Sequence, residues 1–291
     1  MGFKSVRVPG SSANLGPGFD TLALAVPLYL TATAYPSDSF VVELRGEGAS
    51  EVVTGNHLIH QLVVEVLGHD RVGLVIDSEI PLARGLGSSA ALVLGVAGAL
   101  GHPDPLGVAL DFESHPENVA ASYWGGGVAA LVAPSGPVIR RISVDPLLRL
   151  VVIIPPDRLA TEAARRLLPQ TVTFDDAVFN LSHAVVLAAS LGHVEELVPA
   201  LFEDHLHQDA RAVAFPESRR LLAMLLEAGC LGASWSGAGT ICVGFTDLDR
   251  VDAIHQQVQA AMRGSGLNYE VRSLAVDLEG LTTLTDAGEK P

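Results

Sequence analysis

An α+β fold in two domains is what this sequence predicts, and three observations carry it. The chain is 291 residues long, near twice the roughly 150 residues of an ordinary domain. Its first half opens on short β-branched runs separated by Gly, Pro and Ser, while its second half alternates helix and strand patterns in the order of a split βαβ unit. Within the first half lies Ser88 to Leu100, SSAALVLGVAGAL, which is apolar on every face and therefore reads as a helix buried on all sides, the spine of the first domain.

The elements follow in order. Val6 to Val8, Leu28 to Ala34 and Phe40 to Leu44 read as strands, and His57 to Leu67 carries apolar residues at helical spacing. Val72 to Ile80 is a further strand, closed by Pro81. After the buried helix, His115 to Trp124 runs from a loop into a short helix, and three glycines turn the chain into strands Val128 to Val132 and Val138 to Ile142. Leu150 to Ile154 is a strand stopped by Pro155 and Pro156, which sets the expected division into residues 1–155 and 156–291. Helices are expected over Thr161 to Leu168, Asp175 to Leu191, Pro216 to Ala228 and Leu248 to Arg263, with a glycine hairpin before the last and strand Tyr269 to Leu274 after it. Only the tail beyond Thr282 reads as unstructured.

Composition narrows the function. Hydrophobic residues make up 48% of the chain and charged ones 18%, so a packed core is expected. Eighteen basic residues against 33 acidic ones give a net charge of −15, a field that repels a phosphate backbone and argues against nucleic-acid binding. The two cysteines have no metal-ligand spacing, and no apolar run suits a signal peptide or a membrane span, so a cytoplasmic protein is expected.

Three segments carry chemistry. Pro81 to Ala91, PLARGLGSSAA, follows a strand and enters the buried helix. Gly85 and Gly87 let backbone approach a ligand closely, and the first helical turn supplies free N–H groups and a positive dipole end, a geometry suited to phosphate. The order is neither GxxxxGK[ST] nor GxGxxG. Ser88 or Ser89 is placed to hydrogen-bond phosphate or to reach Mg²⁺. The second segment, Pro9 to Asp20, is a small polar glycine-rich loop that can bring Asn14 and Asp20 to a polar substrate; the third, Gly232 to Thr240, could be a hairpin and nothing more.

Together these segments resemble the GHMP kinases over nearly the whole chain. PLARGLGSSAA is similar to the family's phosphate loop, and SWSGAGT to its C-terminal glycine motif, with Thr240 where a proline is usual. PGSSANLGPGFDTLALAV, SHPENVAASYWGGGV, LLPQTVTFDDAVFNLSHAVVL and DHLHQDAR are similar to segments of the family's homoserine kinase branch. The resemblance implies a ribosomal S5-like N-terminal domain that binds ATP and a ferredoxin-like C-terminal domain. It implies ATP and Mg²⁺ as cofactors, L-homoserine as the acceptor, and a homodimer as one assembly the chain could form.

By the same resemblance, Pro81, Arg84, Gly85, Leu86, Gly87, Ser88, Ser89, Ala90 and Ala91 would wrap the ATP phosphates, with Ser236, Gly237 and Gly239 as the glycine motif. Ser89 and Glu113 would hold the metal, with Asp111 as the alternative carboxylate. Asn14, Asp20, His115, Glu117, Asn118 and Arg211 would meet the acceptor; Asn14, Asp20 and Arg211 would have the catalytic roles, with Asp20 orienting rather than acting as base. Arg211 would grip the carboxylate, as a guanidinium suits that bidentate task. His183 stands where the family's FNLSR segment has a second carboxylate-binding arginine, and Asn56 and His57 stand near the adenine. Two other readings remain at this stage: a kinase of the family for another small hydroxylated acid, suggested by His183, and a non-catalytic sensor of the same fold.

Overall fold

The computed structural model describes residues 2–54 and 57–286. Strands β1 (Lys4–Asn14) and β2 (Gly18–Tyr35) form a long antiparallel hairpin; β3 (Val41–Gly46) leads through helix α1 (Leu58–Leu67) to β4 (Gly73–Ser78), parallel to β3. Helices α2 (Ser88–Ala99), α3 (Pro105–Phe112) and α4 (Pro116–Trp124) follow, and β5 (Gly127–Ala133) with β6 (Gly136–Ile142) closes a second hairpin on β2. Then come β7 (Leu148–Ile154), α5 (Thr161–Arg165), α6 (Phe174–Ser190), α7 (Gln208–Arg211) and α8 (Glu217–Glu227). The chain ends with β8 (Gly232–Trp235), β9 (Cys242–Asp247), α9 (Val251–Gly264), β10 (Glu270–Ala275) and β11 (Thr282–Asp286).

Two sheets result. The first runs β11-β1-β2-β4-β3, with β5 also on β2 and β6 on β5; the second is four-stranded, β10-β7-β9-β8, and antiparallel throughout. Strand, helices, hairpin, helix, strand is the split βαβ order expected for a ferredoxin-like unit. The sheets part between β6 and β7, so β7 pairs in the second sheet although the expected division at residues 155 and 156 leaves it with the first, and β11 returns the chain to β1. That strand takes the first part of the expected unstructured tail, whose remainder from residue 287 lies outside the described residues: Thr282 and Thr283, both β-branched, pair with Arg7 and Val6. The expected loop over Pro9 to Asp20 is largely strand, because small Ser11, Ser12 and Ala13 continue the β1 ladder against Ala25, Leu24 and Ala23.

Burial explains the arrangement. Strand β7 is apolar at every position from Leu150 to Ile154 because both faces are covered. Its Leu148, Leu150 and Val152 join the large core around α2, whereas Val151 and Ile153 pack with α8 and α9 residues such as Leu221 and Val258. Helix α2 is the spine of that core, with Ala90, Ala91, Val93, Leu94 and Val96 all buried, which accounts for its apolar circumference. Among the described residues, no helix is long and apolar enough to cross a membrane.

Leu94 is fully buried in this cluster. Leu94→Ala should cost about 2–4 kcal/mol in urea unfolding, whereas Phe174→Ser, at an 83% exposed position, should change stability by less than about 0.5 kcal/mol.

Candidate active site

The site is a cleft between the N-terminus of α2, the β1–β2 turn, the start of α4 and the β8–β9 loop. One end is a phosphate-sized cradle. Gly87 caps α2 in the left-handed region at φ 65° and no side chain caps the helix, so the N–H groups of its first turn face the cleft. Gly85, at φ 98°, is forced by a close approach: a Cβ there would sit 2.0 Å from the Ser236 carbonyl oxygen. Ser236 Oγ donates to the Gly85 carbonyl at 2.6 Å, so the β8–β9 loop braces the phosphate loop from behind.

The other end is built from charge. Asn14, buried at φ 75°, donates through Nδ2 to the Gly237 carbonyl at 2.8 Å and accepts the Asp20 N–H on Oδ1 at 3.0 Å. Arg211, 2% exposed, donates through Nη1 to the same Gly237 carbonyl at 2.7 Å, and its Nε is buried with no partner. Arg165, on the short helix α5, reaches in from the side: its Nη2 donates to both Asp20 oxygens at 2.6 and 2.9 Å and to His115 Nε2 at 3.2 Å. Both guanidinium groups lie over Phe19, at 5.6 Å for Arg165 and 5.2 Å for Arg211. Asp20 and Arg211 thus face the cleft, with Arg165 paired to Asp20 and His115 at its edge, a charge set that suits a small zwitterion.

Electrostatics mark the same residues. Burial pushes the Glu117 carboxyl up to about 7 and leaves its Oε2 without a partner, while Oε1 accepts from Asn118 Nδ2 at 3.2 Å. Burial lowers Arg211 to about 10 and depresses His115 below the ordinary imidazole value. Glu113 is raised, again by burial, and its Oε1 accepts from Ser89 Oγ at the mouth of the cradle. Such a cluster of desolvated ionisable groups in a cleft is characteristic of functional sites.

The expected residues divide accordingly. Asn14, Asp20, His115, Glu117, Asn118 and Arg211 line the cleft, as do Gly85, Gly87, Ser88, Ser89, Ala90, Glu113 and Gly237. Leu86 and Ala91 are buried in the core behind the loop, and Arg84 turns away to Glu47 at 3.3 Å, so these help to shape the loop rather than face the cleft. Pro81, Ser236 and Gly239 are not among the lining residues; Ser236 acts from behind through its hydroxyl on the Gly85 carbonyl, and Gly239 through its N–H on the Ser236 carbonyl. Asp111 lines a separate depression with His102 and Asp104, which leaves Glu113 as the carboxylate at Ser89. His57 caps α1 and lines an apolar hollow with Leu44, Ile59 and Leu92 that shares Ser88 with the cradle; Asn56 lies outside the described residues.

His183 is the clear misplacement. It does not line the cleft but stacks on Phe179 at 3.8 Å, with Nδ1 2.7 Å from the Phe179 carbonyl. Asn180, three residues earlier, is held by Asp204 at 2.8 Å and the Pro17 carbonyl at 3.3 Å. The second arginine near the acceptor end is instead Arg165, which bonds the lining residues Asp20 and His115 from the cleft's edge and which the sequence does not announce, because an arginine within TEAARR looks like ordinary helix surface.

A two-sheet fold whose cleft joins an anion cradle to a zwitterion site defines an enzyme that handles phosphate and a small polar acceptor. Comparison with known proteins gives the family. The model for the GHMP kinases N terminal domain matches residues 56–126, and that for the GHMP kinases C terminal region matches residues 185–264. A homoserine kinase of Clavibacter michiganensis is 38% identical, with 98% of this chain and 96% of the relative covered. One from Desulfitobacterium hafniense is 32% identical, covering 96% and 99%. The crystal structure of homoserine kinase from Cytophaga hutchinsonii superposes with a TM-score of 0.84 over 97% of each chain, a likeness of fold at 22% identity. The chain belongs to the GHMP kinase family.

The raised Glu117 carboxyl has a stability consequence. The folded state holds its proton more tightly than the unfolded chain, so stability falls as pH rises from about 4.5 to about 7. Glu117→Gln should be about 2 kcal/mol more stable than the parent at pH 8 and nearly equal at pH 4.5, measured by urea unfolding at both.

Proposed function

We propose that this chain is an ATP-dependent homoserine kinase, transferring the γ-phosphoryl group of ATP to the side-chain hydroxyl of L-homoserine to give O-phospho-L-homoserine for threonine biosynthesis. The observation that carries the reading is the pairing, in one cleft, of a helix N-terminus with no side-chain cap and a charged end made by Asp20 and Arg211, with Arg165 on Asp20 at its edge. Relatives bearing the name homoserine kinase over nearly their full length support it.

The phosphates lie against the N–H groups of Ser88, Ser89 and Ala90, where Gly85 and Gly87 leave room for them. The adenine occupies the apolar hollow beside His57. Asp20 takes the acceptor's ammonium, releasing Arg165, which together with Arg211 then binds the carboxylate. His115, Glu117 and Asn118 fix the acceptor from the start of α4. Phosphoryl transfer needs positioning and charge neutralisation above all, so Asp20 orients, and the hydroxyl proton leaves to phosphate oxygen or water.

Ser89 and Glu113 fit Mg²⁺: a hydroxyl and a carboxylate, both hard oxygen donors, touch at the mouth of the cradle. When bound there, Mg²⁺ neutralises charge on the phosphates. One carboxylate is the usual protein share of a nucleotide-bound Mg²⁺.

The reading is tested by ADP release with L-homoserine, L-serine, L-threonine and mevalonate in turn; activity is expected with L-homoserine, and none with saturating ATP and folded protein would refute it. Asp20→Asn should weaken transition-state stabilisation for homoserine by about 1.5–3 kcal/mol in kcat/KM, with little change in the ATP KM. Glu113→Gln should raise the Mg²⁺ requirement, and Asp111→Asn should leave it unaltered; the reverse pattern in a Mg²⁺ titration would move the metal ligand.

A further inference from the structure

Arg211 is a buried cation that can serve an acceptor only if its guanidinium is held at one orientation, and the holding group is on the neighbouring turn of the same segment. Both of its hydrogen bonds use Nη1, to the Gly237 carbonyl at 2.7 Å and to His207 Nδ1 at 3.1 Å. The Nε–Nη2 edge is thereby left for a ligand, and the buried Nε has no protein partner. That edge is one of the two faces by which a guanidinium takes a carboxylate bidentately.

The state of His207 follows from its partners. Its Nε2 lies 2.8 Å from the Gly16 carbonyl, which can only accept, so Nε2 carries the proton. In the neutral ring, Nδ1 then has a lone pair and can accept from Arg211. A protonated ring would set an Nδ1–H against an Arg211 N–H.

Burial opposes that second proton and holds the group below the ordinary imidazole value, helped by the Arg211 charge and opposed by Asp204 and Asp20. Asp204, 3.8 Å from Nε2, is occupied by the backbone N–H groups of Leu206, His207 and Gln208 and by Asn180 Nδ2. Phe19 stacks on the ring at 5.0 Å and also lies beneath both arginines, so the imidazole has little freedom to turn.

We propose that His207 is a positioning residue for the acceptor site: the Gly16 carbonyl fixes it as the neutral Nε2–H tautomer, and its Nδ1, by accepting from Arg211 Nη1, presents the Nε–Nη2 edge of Arg211 to the acceptor's carboxylate. It touches no substrate. The proposal rests on the reading that Arg211 binds that carboxylate.

The test separates the two ring nitrogens. Asparagine places its amide oxygen where Nδ1 was, and glutamine places its amide where Nε2 was. His207→Asn should keep the homoserine KM within about threefold of the parent, while His207→Gln, which keeps the Gly16 contact alone, should raise it about tenfold; the ATP KM should move in neither. Equal KM values for the two variants, or an ATP KM that rises with the homoserine KM, would overturn the proposal and leave His207 a role in the fold only.

The ¹⁵N spectrum of histidine-labelled parent protein at pH 7, assigned by the signal absent from the Asn variant, should show His207 protonated at Nε2 alone. A cationic ring or an Nδ1–H tautomer would overturn the proposal without recourse to variant kinetics. If the asparagine variant does not fold, the same signal is assigned from His207→Gln. Arg211→Lys checks the underlying reading separately: an unchanged homoserine KM there refutes carboxylate binding by Arg211. A raised value with indistinguishable His207 variants refutes only the positioning role.

Discussion

The carbonyl oxygen of Gly237 is the point on which the site depends. It lies on the β8–β9 loop of the second sheet, yet it accepts from Asn14 of the first sheet at 2.8 Å and from Arg211 of α7 at 2.7 Å. The Gly237 N–H in turn donates to the Ala13 carbonyl at 2.9 Å. One residue, through the N–H of one peptide group and the carbonyl of the next, therefore ties the ends of β1 and α7 to the second sheet. Ser236, the preceding residue, braces the phosphate loop. The cradle and the charged end thus share a single backbone anchor, which sets the distance between a bound phosphate and an acceptor. Because preorganised geometry is the main resource of phosphoryl transfer, this anchor does more for the chemistry than any individual side chain.

That dependence explains why small residues dominate the three motifs. A Cβ on Gly237 would lie 2.9 Å from the Gly85 carbonyl, and one on Gly87 would lie 2.2 Å from Ser11 Oγ. Ser11, meanwhile, donates toward the Asn118 carbonyl at 3.1 Å and lies 3.1 Å from Ser122 Oγ, pinning the start of α4 against β1. Loops that must pass within hydrogen-bonding distance of one another leave no space for larger side chains. The glycine and serine content of these segments is therefore a record of close approach, and only secondarily of flexibility.

How much of this was legible in the sequence depends on whether a residue's role is local. The buried helix α2 and its glycine entry could be read directly, because apolar periodicity and a Gly-x-Gly turn act over a few residues. The split βαβ character of the second domain could be read from the alternation of patterns, but β7 could not be assigned to a sheet by its own residues: a strand buried on both faces looks the same in either. Strand β11 was hidden for a related reason, since its short polar sequence becomes a strand only by pairing with β1. In the site, Asp20 and Arg211 sit in distinctive segments and were found. Arg165 was missed because only the tertiary contact with Asp20 distinguishes it from the adjacent Arg166, whose partner is Glu162 on its own helix. His183 was given a role by its position in a family segment, but it stacks on Phe179 of its own helix, which in turn stacks on His205, and it is not among the residues that line the cleft.

The departures from local comfort in this molecule concentrate where that anchor operates. Asn14 at φ 75°, Leu15 at φ 49°, Asp20 at φ 50° and Ala83 at φ 53° are the described non-glycine residues in the left-handed region, and three of the four line the cleft. Each such conformation costs on the order of 1 kcal/mol or more, and it persists only where surrounding contacts over-determine it. Glu117 and Arg211 add two buried ionisable groups that each carry an unpartnered polar atom, a further expense of about 1–3 kcal/mol apiece. A core as extensive as that around α2 can absorb such costs. The unpartnered oxygen and nitrogen both belong to residues that line the cleft, where a polar ligand can reach them. In this account the strain, the desolvated charges and the small residues have one cause: a site shaped in advance for groups that the folded chain alone does not contain.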